Sequence, residues 1–492
     1  MISVKKKTNL LYIHSDQHTP YVMGCSGDPL VQTPHLDSLA ASGVIFKNTY
    51  CPSPICVPSR MSTLTGCFPY ENECWTNAHV LDSGIPTLAH SLGAAGYNPI
   101  LFGRMHAMGP DQLHGYAERY VGDHSQNYIE SNDKSSVDHG ELTGTQGPTR
   151  LSLTKSGPGQ NAYQVHDEDV VDAVIGHLNK LGQLKNEGHE DPFCLSVGLM
   201  LPHQPFVARK EDYQLYDGKM TMPRIQEPFS DKLHPYFKEW RQNTCITDVT
   251  NEEILRARTA YWALVTRTDI LIGKILKTLK ENGLDNDTMI VYTSDHGEQV
   301  GEHNLWWKQT FYENSVKVPL IISWPGKIPP KQINNNIVSS LDLNATILDA
   351  LNAPALPRSR GRSMMDLMTG ESKWEDLAYS EYCTADGYIH RMIRMGDYKF
   401  NYYKGMPGQL FNLKDDPDEC CDLFGLAEYA DIQKTLQNKI LEEWDPEWVE
   451  TKMTTKSSDY TIFSSWANNT KPQEYYRWNL LPEMDYLDEV PS

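Results

Sequence analysis

Four short apolar runs, each followed at once by polar residues able to do chemistry, constrain the fold of this chain more than any other feature. Leu10 to Ile13 leads into His14-Ser15-Asp16-Gln17-His18, and Pro99 to Phe102 into Gly103-Arg104-Met105-His106. Phe193 to Leu201 reaches Pro202-His203, and Met289 to Tyr292 ends in Ser294-Asp295-His296-Gly297; a fifth run, Leu320 to Trp324, follows Pro319. Runs this short and this apolar read as parallel strands buried on both faces. Parallel strands need crossover connections, and helical patterns stand where they are required: Thr87 to Ala95, Asp167 to Leu181, and Ser340 to Leu351. Thr250-Asn251-Glu252-Glu253 reads as a capping box opening a long helix to about Lys280. In such sheets ligands bind beyond the carboxyl ends of the strands, which is where the polar residues fall.

The expected fold is therefore α/β, a large central mixed, mostly parallel sheet flanked by helices over residues 1–375. A smaller C-terminal antiparallel-sheet subdomain with a terminal helix and tail is expected over 376–492, with strands in Met392 to Tyr403 and Gln409 to Leu413. Residues 120–165 read as a long polar surface loop bordering the site. From Thr451 onward the chain is aromatic and irregular, with Trp466, Tyr475, Tyr476 and Trp478, a composition suited to packing on another subunit or to surface disorder.

A length of 492 residues exceeds one small core, in keeping with two units. The net charge of -20 disfavours nucleic acid and anionic membranes as partners, so an anionic substrate would need a local cationic pocket. Ten cysteines at irregular spacing, including Cys420-Cys421, indicate neither a zinc site nor a disulfide framework. With no export signal and no apolar run of membrane-spanning length, a cytoplasmic location is expected, or a periplasmic one if a leader has been removed.

Asp16, Gln17, Asp295 and His296 come from two strand ends and offer three oxygens and one imidazole nitrogen to a cation. Hard oxygens suit calcium or magnesium, while the imidazole admits manganese. Pro58 suits a first helical turn, so Ser59 to Leu64 would continue a helix whose free N–H groups place Cys56 at a positive helix end. His106, His203 and Lys308 lie at or shortly after apolar runs, a set able to neutralise anionic oxygens and move protons. Arg104 fits the same task or a plain salt bridge equally well. Trp306, Trp307 and Tyr128 are candidates for stacking on a substrate, or for ordinary core packing.

Taken together, these segments resemble the type I, formylglycine-dependent sulfatases of the alkaline-phosphatase-like superfamily, over residues 9 to about 425. The resemblance rests on Cys56-Val57-Pro58-Ser59-Arg60, Trp75-Thr76-Asn77-Ala78, His106 to Gly115, Pro202-His203-Gln204-Pro205-Phe206, Ser294 to Glu298 and Leu305-Trp306-Trp307-Lys308. Leu410-Phe411-Asn412-Leu413 and Asp416 to Glu419 are similar to the family's closing hairpin. Ser15 in place of a second acidic residue matches the choline-sulfatase and phosphonate monoester hydrolase pattern, whereas His106 favours sulfate esters. The resemblance implies that a formylglycine-generating or anaerobic maturation enzyme oxidises Cys56 to an aldehyde whose hydrate is the nucleophile, steadied by Arg60. It further implies that Asp16, Gln17, Asp295 and His296 hold Ca2+, with Mn2+ or Mg2+ as alternatives. Asn77, Arg104, Lys308 and Trp306 would contact the substrate, a small-molecule or saccharide sulfate ester. His203 would be the general acid and His106 the base that releases sulfate, or the reverse. A phosphonate monoester hydrolase and an unmodified anion-binding homologue are the alternatives, and the tail is a candidate for homo-oligomer contact.

Overall fold

A computed structural model describes residues 7–128, 138–189, 191–370 and 373–488. The larger sheet contains β1 (Asn9–Asp16), β2 (Val44–Tyr50), β3 (Pro99–Gly103), β4 (Glu118–Tyr120), β6 (Cys194–Pro202) and β8 (Thr288–Ser294). Three further strands, β9 (Lys317–Val318), β10 (Leu320–Ser323) and β11 (Gln332–Ser339), complete it. A short third sheet joins β5 (Gly157–Gln160), β7 (Val207–Ala208) and β16 (Tyr486–Leu487). In the large sheet the strand order is β11-β2-β10-β8-β1-β6-β3-β4, with β9 on β2. All neighbours run parallel except β10 and β9, which run against their partners. The mixed, mostly parallel sheet expected from the apolar runs is the one observed.

Alternation along the strands divides the core in two, because successive side chains point to opposite faces. Leu11 and Ile13 of β1 join one cluster with Ile290 and Tyr292 of β8; Leu10 and Tyr12 join the other with Met289 and Val291. The first face is covered by helices Pro34–Ala41, Ala162–Asn186 and Asn251–Glu281, the second by Cys56–Thr65, Leu88–Ala94 and Ser340–Ala350. Register then decides where chemistry can converge. Ser15 pairs with Ser294, and a shift in β1 after His14 sets Asp16 opposite Pro202, so three strand ends meet.

β12 (Leu377–Cys383), β13 (Ile389–Met395), β14 (Tyr398–Tyr403) and β15 (Gln409–Asn412) form the small antiparallel sheet, with β13 and β14 split by a turn at Gly396-Asp397. Two expectations need correction. The stretch from Thr451 is helical as far as Thr470, in a helix that opens at Pro446 with Asp445 accepting from Glu447 N; its Ser- and Thr-rich composition, weak in helix propensity, hides the cap-plus-proline start. The segment beyond it packs on its own chain, through β16 and an isolated bridge between Asp123 and Arg477. The loop expected over 120–165 is likewise partly ordered: it carries Leu151–Thr154 and β5, and the following helix starts at Ala162, capped by Asn161. Residues 129–137 of it lie outside the described residues.

Candidate active site

Cys56 is the first residue of its helix, 1% exposed, and Pro58 sits in the first turn where a missing N–H costs nothing. Its thiol sulfur, standing where an oxidised side chain would stand, lies 3.3 Å from His296 Nε2 and 3.7 Å from Asp16 Oδ1. Lys308 Nζ donates to it at 3.1 Å and to Gln17 Oε1 at 2.7 Å. The ligand atoms of Asp16, Cys56, Asp295 and His296 all lie within 4.8 Å of one another.

The donor set suits a hard dication. Burial alone would raise the Asp16 carboxyl, but Arg104, His203, Arg60 and Lys308 hold it well below the usual carboxylate range. Asp295 is likewise lowered against its own burial, chiefly by Arg60. Burial pushes His296 down to about 4, and its Nδ1 lies 3.1 Å from the Gly297 carbonyl oxygen. A neutral ring donating from Nδ1 leaves the Nε2 lone pair for a cation. Gln17 is held at φ 66 in the left-handed region, and its Nε2 donates to Gln204 Oε1 and Glu298 Oε2. With the amide N–H groups consumed on that side, Oε1 faces Lys308 and the site. Glu298, pushed up to about 7 by burial, also accepts from the backbone N–H groups of Val300 and Trp307.

Arg60 stands behind the carboxylates instead of over the nucleophile. Its guanidinium donates to Asp295 Oδ2 at 2.9 Å, Asp16 Oδ2 at 3.1 Å and Ser15 O at 3.3 Å, and lies 2.9 Å from His14 Nδ1. These partners are all groups of the strand ends, so Arg60 is placed to brace them. Arg104 is spent in the same way, on Asp16 at 2.6 Å, Asp123 at 3.0 Å and His106 Nδ1 at 2.9 Å. That arrangement matches the salt-bridge alternative for Arg104 and leaves little of it for an anion. Asn77 Oδ1 accepts from Val57 N at 3.0 Å, which leaves its NH2 group as the part able to meet an anionic oxygen.

His203 is buried beside Cys56, lowered by burial and by Lys308, with the Cys56 thiol acting in the opposite sense. His106 is also lowered, by burial and then Arg104, and its backbone sits at φ 57 with its N–H on Asp123 Oδ2. Trp306 is a core residue. It is 1% exposed and its ring packs on Phe206 at 5.7 Å, so the substrate-stacking expectation gives way to core packing; Trp307, fully buried, donates to Ser152 Oγ. Tyr128 lies edge-on to Trp466 at 5.3 Å.

Sequence reasoning missed His14, Asp123, Tyr163, Gln204 and Glu298, all of them partners of the site residues. His14 lay in view, in the polar stretch after the first run, and Gln204 and Glu298 stand within the segments that carry His203 and His296 but were given no role; Asp123 and Tyr163 stand next to no motif.

The sulfatase family model matches residues 8–353. The chain belongs to the sulfatase family. A second family model, N-sulphoglucosamine sulphohydrolase, C-terminal, matches residues 301–445 of this sulfatase. A choline-sulfatase of Rhizobium meliloti is 30% identical over 97% of the chain and 94% of its own length. Arylsulfatase K of Xenopus laevis is 28% identical over 85% of the chain and 79% of its own length. The phosphonate monoester hydrolase SpPMH of Silicibacter pomeroyi superposes with a TM-score of 0.72 at 25% identity, covering 89% of this chain and 95% of that one. Fold and family thus make the protein a sulfuric ester hydrolase of the alkaline-phosphatase-like superfamily. Among the described residues no helix is long and apolar enough to cross a membrane, and all ten cysteines are unpaired.

Proposed function

We propose that this sulfatase cleaves a sulfate monoester through a formylglycine made from Cys56, beside a divalent cation held by Asp16, Gln17, Asp295 and His296. The observation that carries the reading is the meeting of the Cys56 sulfur, two carboxylates, a neutral imidazole and Lys308 at the carboxyl ends of the central strands. A hydrated aldehyde would supply two hydroxyls on one carbon, one to attack sulfur and one to expel sulfate afterwards. A cation bound there, calcium by its oxygen-rich donors, would supply charge that polarises the ester and eases hydroxyl ionisation. Lys308 and the Asn77 amide would grip sulfate oxygens, and the helix starting at Cys56 adds a positive end. An anionic ester arriving beside His203 and His106 would raise both rings from their lowered state. His203, nearer the nucleophile, then protonates the leaving oxygen and His106 takes the proton when sulfate departs.

The substrate is a sulfated carbohydrate, an aryl sulfate or choline sulfate, the last favoured by the similarity to a choline-sulfatase over nearly the whole chain. The structural likeness to a phosphonate monoester hydrolase keeps that ester class as a second reading, to be separated by relative turnover of phenyl sulfate and phenyl phosphonate. The test is intact-mass analysis of the Cys56 peptide from protein made with its maturation enzyme, alongside sulfate release. An aldehyde with turnover supports the mechanism; turnover by a thiol-only protein would sink it.

A further inference from the structure

The C-terminal segment returns to the site from the far side of the sequence. Asp123 N donates to Tyr476 O at 3.1 Å and Trp478 N donates to Asp123 O at 2.8 Å, so the backbone of Asp123 is held on both sides. Arg477 Nε donates to His124 O at 3.3 Å, and Asn127 N donates to Glu474 Oε1 at 3.0 Å. Gly122 is what lets the segments approach, since a Cβ there would overlap the Tyr476 carbonyl oxygen. A second anchor lies further on. Asp485, 2% exposed, accepts from Ala162 N at 2.6 Å and pairs with His139 Nδ1 at 2.7 Å, while Tyr486 pairs with Gln160 and Leu487 with Gly159 in antiparallel fashion. Gly159 again makes room, for the Tyr486 carbonyl.

Both anchors lead to a candidate proton donor. The Asp123 carboxylate accepts from Arg104 at 3.0 Å and from the backbone N–H of His106 at 2.9 Å, and Arg104 also contacts the His106 ring. Asp485 fixes the helix start at Ala162, and the adjacent Tyr163 ring stands edge-on to His203 at 5.9 Å and tilted against His124 at 4.9 Å.

We infer that residues 474–488 form a strap that completes the active site from within the same chain, with Asp123 and Asp485 as positioning residues for His106 and His203. The inference rests on the roles proposed above for the two histidines, and holds whichever of them is the acid. Neither Asp123 nor Asp485 bonds to Cys56, so the strap works by keeping a ring nitrogen within proton-transfer reach of the leaving oxygen, where proper placement accounts for roughly 10²–10⁴ in rate.

The test uses full-length Gly122→Ala, which should lift the strap without altering a site side chain, and Asp485→Ala, with Asp485→Asn as a milder variant should either prove insoluble. kcat/KM is measured for aryl sulfates whose phenols span a wide pKa range. A misplaced acid matters most when the leaving group is basic, so in the variant whose anchor serves the acid, Asp485→Ala for His203 or Gly122→Ala for His106, the loss for methoxyphenyl sulfate is expected to exceed that for nitrophenyl sulfate by about tenfold or more. A purely structural role would reduce the active fraction and lower every substrate by one factor. Parallel lines against leaving-group pKa in both variants, or undiminished activity in both, would overturn the strap; a wild-type protein with no turnover across the series would instead sink the parent mechanism with it.

Discussion

Replacing Arg60 by methionine tests whether the residue braces the cation-binding carboxylates, as its bonds indicate. Its side chain is 3% exposed and serves carboxylates that are 0% and 2% exposed, so the change removes one partner of a buried ion cluster while conserving much of the volume. Stranding a buried charge costs about 3–5 kcal/mol. Here the lower end applies, because Asp16 keeps Arg104 at 2.6 Å and only Asp295 loses its paired cation. Asp295 retains the backbone N–H groups of Gln17 at 3.0 Å and His296 at 2.9 Å, both on Oδ1. The expected deficit is about 3 kcal/mol in the presence of EDTA. Calcium should shrink it, because a dication against the same carboxylates replaces the missing charge and its binding adds stability by mass action. Scanning calorimetry of wild type and variant, with EDTA and with saturating calcium, reads both quantities. A deficit below about 1 kcal/mol, or one that calcium leaves unchanged, would refute the brace.

Cys56→Ala should reduce sulfate release to background while leaving the melting temperature nearly unaltered, since the side chain is small; residual wild-type turnover in a colorimetric sulfate assay would exclude the nucleophile. Dialysis against EDTA should abolish activity and calcium restore it, with full activity after exhaustive chelation, checked by elemental analysis, counting against the cation. Trp306→Phe should cost about 1 kcal/mol or more by leaving a gap, yet leave KM unchanged, because the ring is in the core; a raised KM would return it to the substrate. Asp342, which accepts from Ser339 N and Arg362 N, is raised to about 6 by burial. Its folded state therefore holds the proton more tightly than the unfolded chain, so stability is greatest below the unfolded value of 3.8 and about 3 kcal/mol is lost as pH rises through 6. Asp342→Asn should flatten that decline in urea melts between pH 4 and 7.5, and an unaltered slope would reject the assignment.

The sheet could be read from the chain because each strand carries its whole signal locally. Leu10 to Ile13 carries no polar group but the Tyr12 hydroxyl, and the polar His14 to His18 therefore mark its carboxyl end. The capping box at Thr250 is similarly local, and the helix Asn251–Glu281 opens there, with Thr250 Oγ1 and the Glu253 side chain exchanging bonds with each other's backbone. What escaped were elements whose reason lies elsewhere in the chain. β5 is a Gly-Pro-Gly-Gln segment with almost no strand propensity, and it is extended because β7 and β16 pair with it. The Ser- and Thr-rich helix Pro446–Thr470 shows no clear apolar stripe, so periodicity passed over it even though Asp445-Pro446 announces its start.

The site divides along the same line. Residues at strand ends and at a helix start were found because a position in the chain implies a position in space, and Asp16, Asp295, His296, Cys56 and Lys308 do come together. Roles that depend on which neighbour a long side chain meets were not legible. Arg60 and Arg104 are cations near an anion's expected place, and sequence gives no way to know that three carboxylates, Asp16, Asp295 and Asp123, would claim them first. The consequence is electrostatic. Two buried arginines neutralise Asp16 and Asp295, keeping both ionised in spite of their burial, while Lys308 donates to the Cys56 sulfur. Under the function proposed above, a pocket that binds first a dication and then an anion needs its positive charges sorted in this way, since arginines turned toward the cation would repel it and carboxylates without arginines would take up protons.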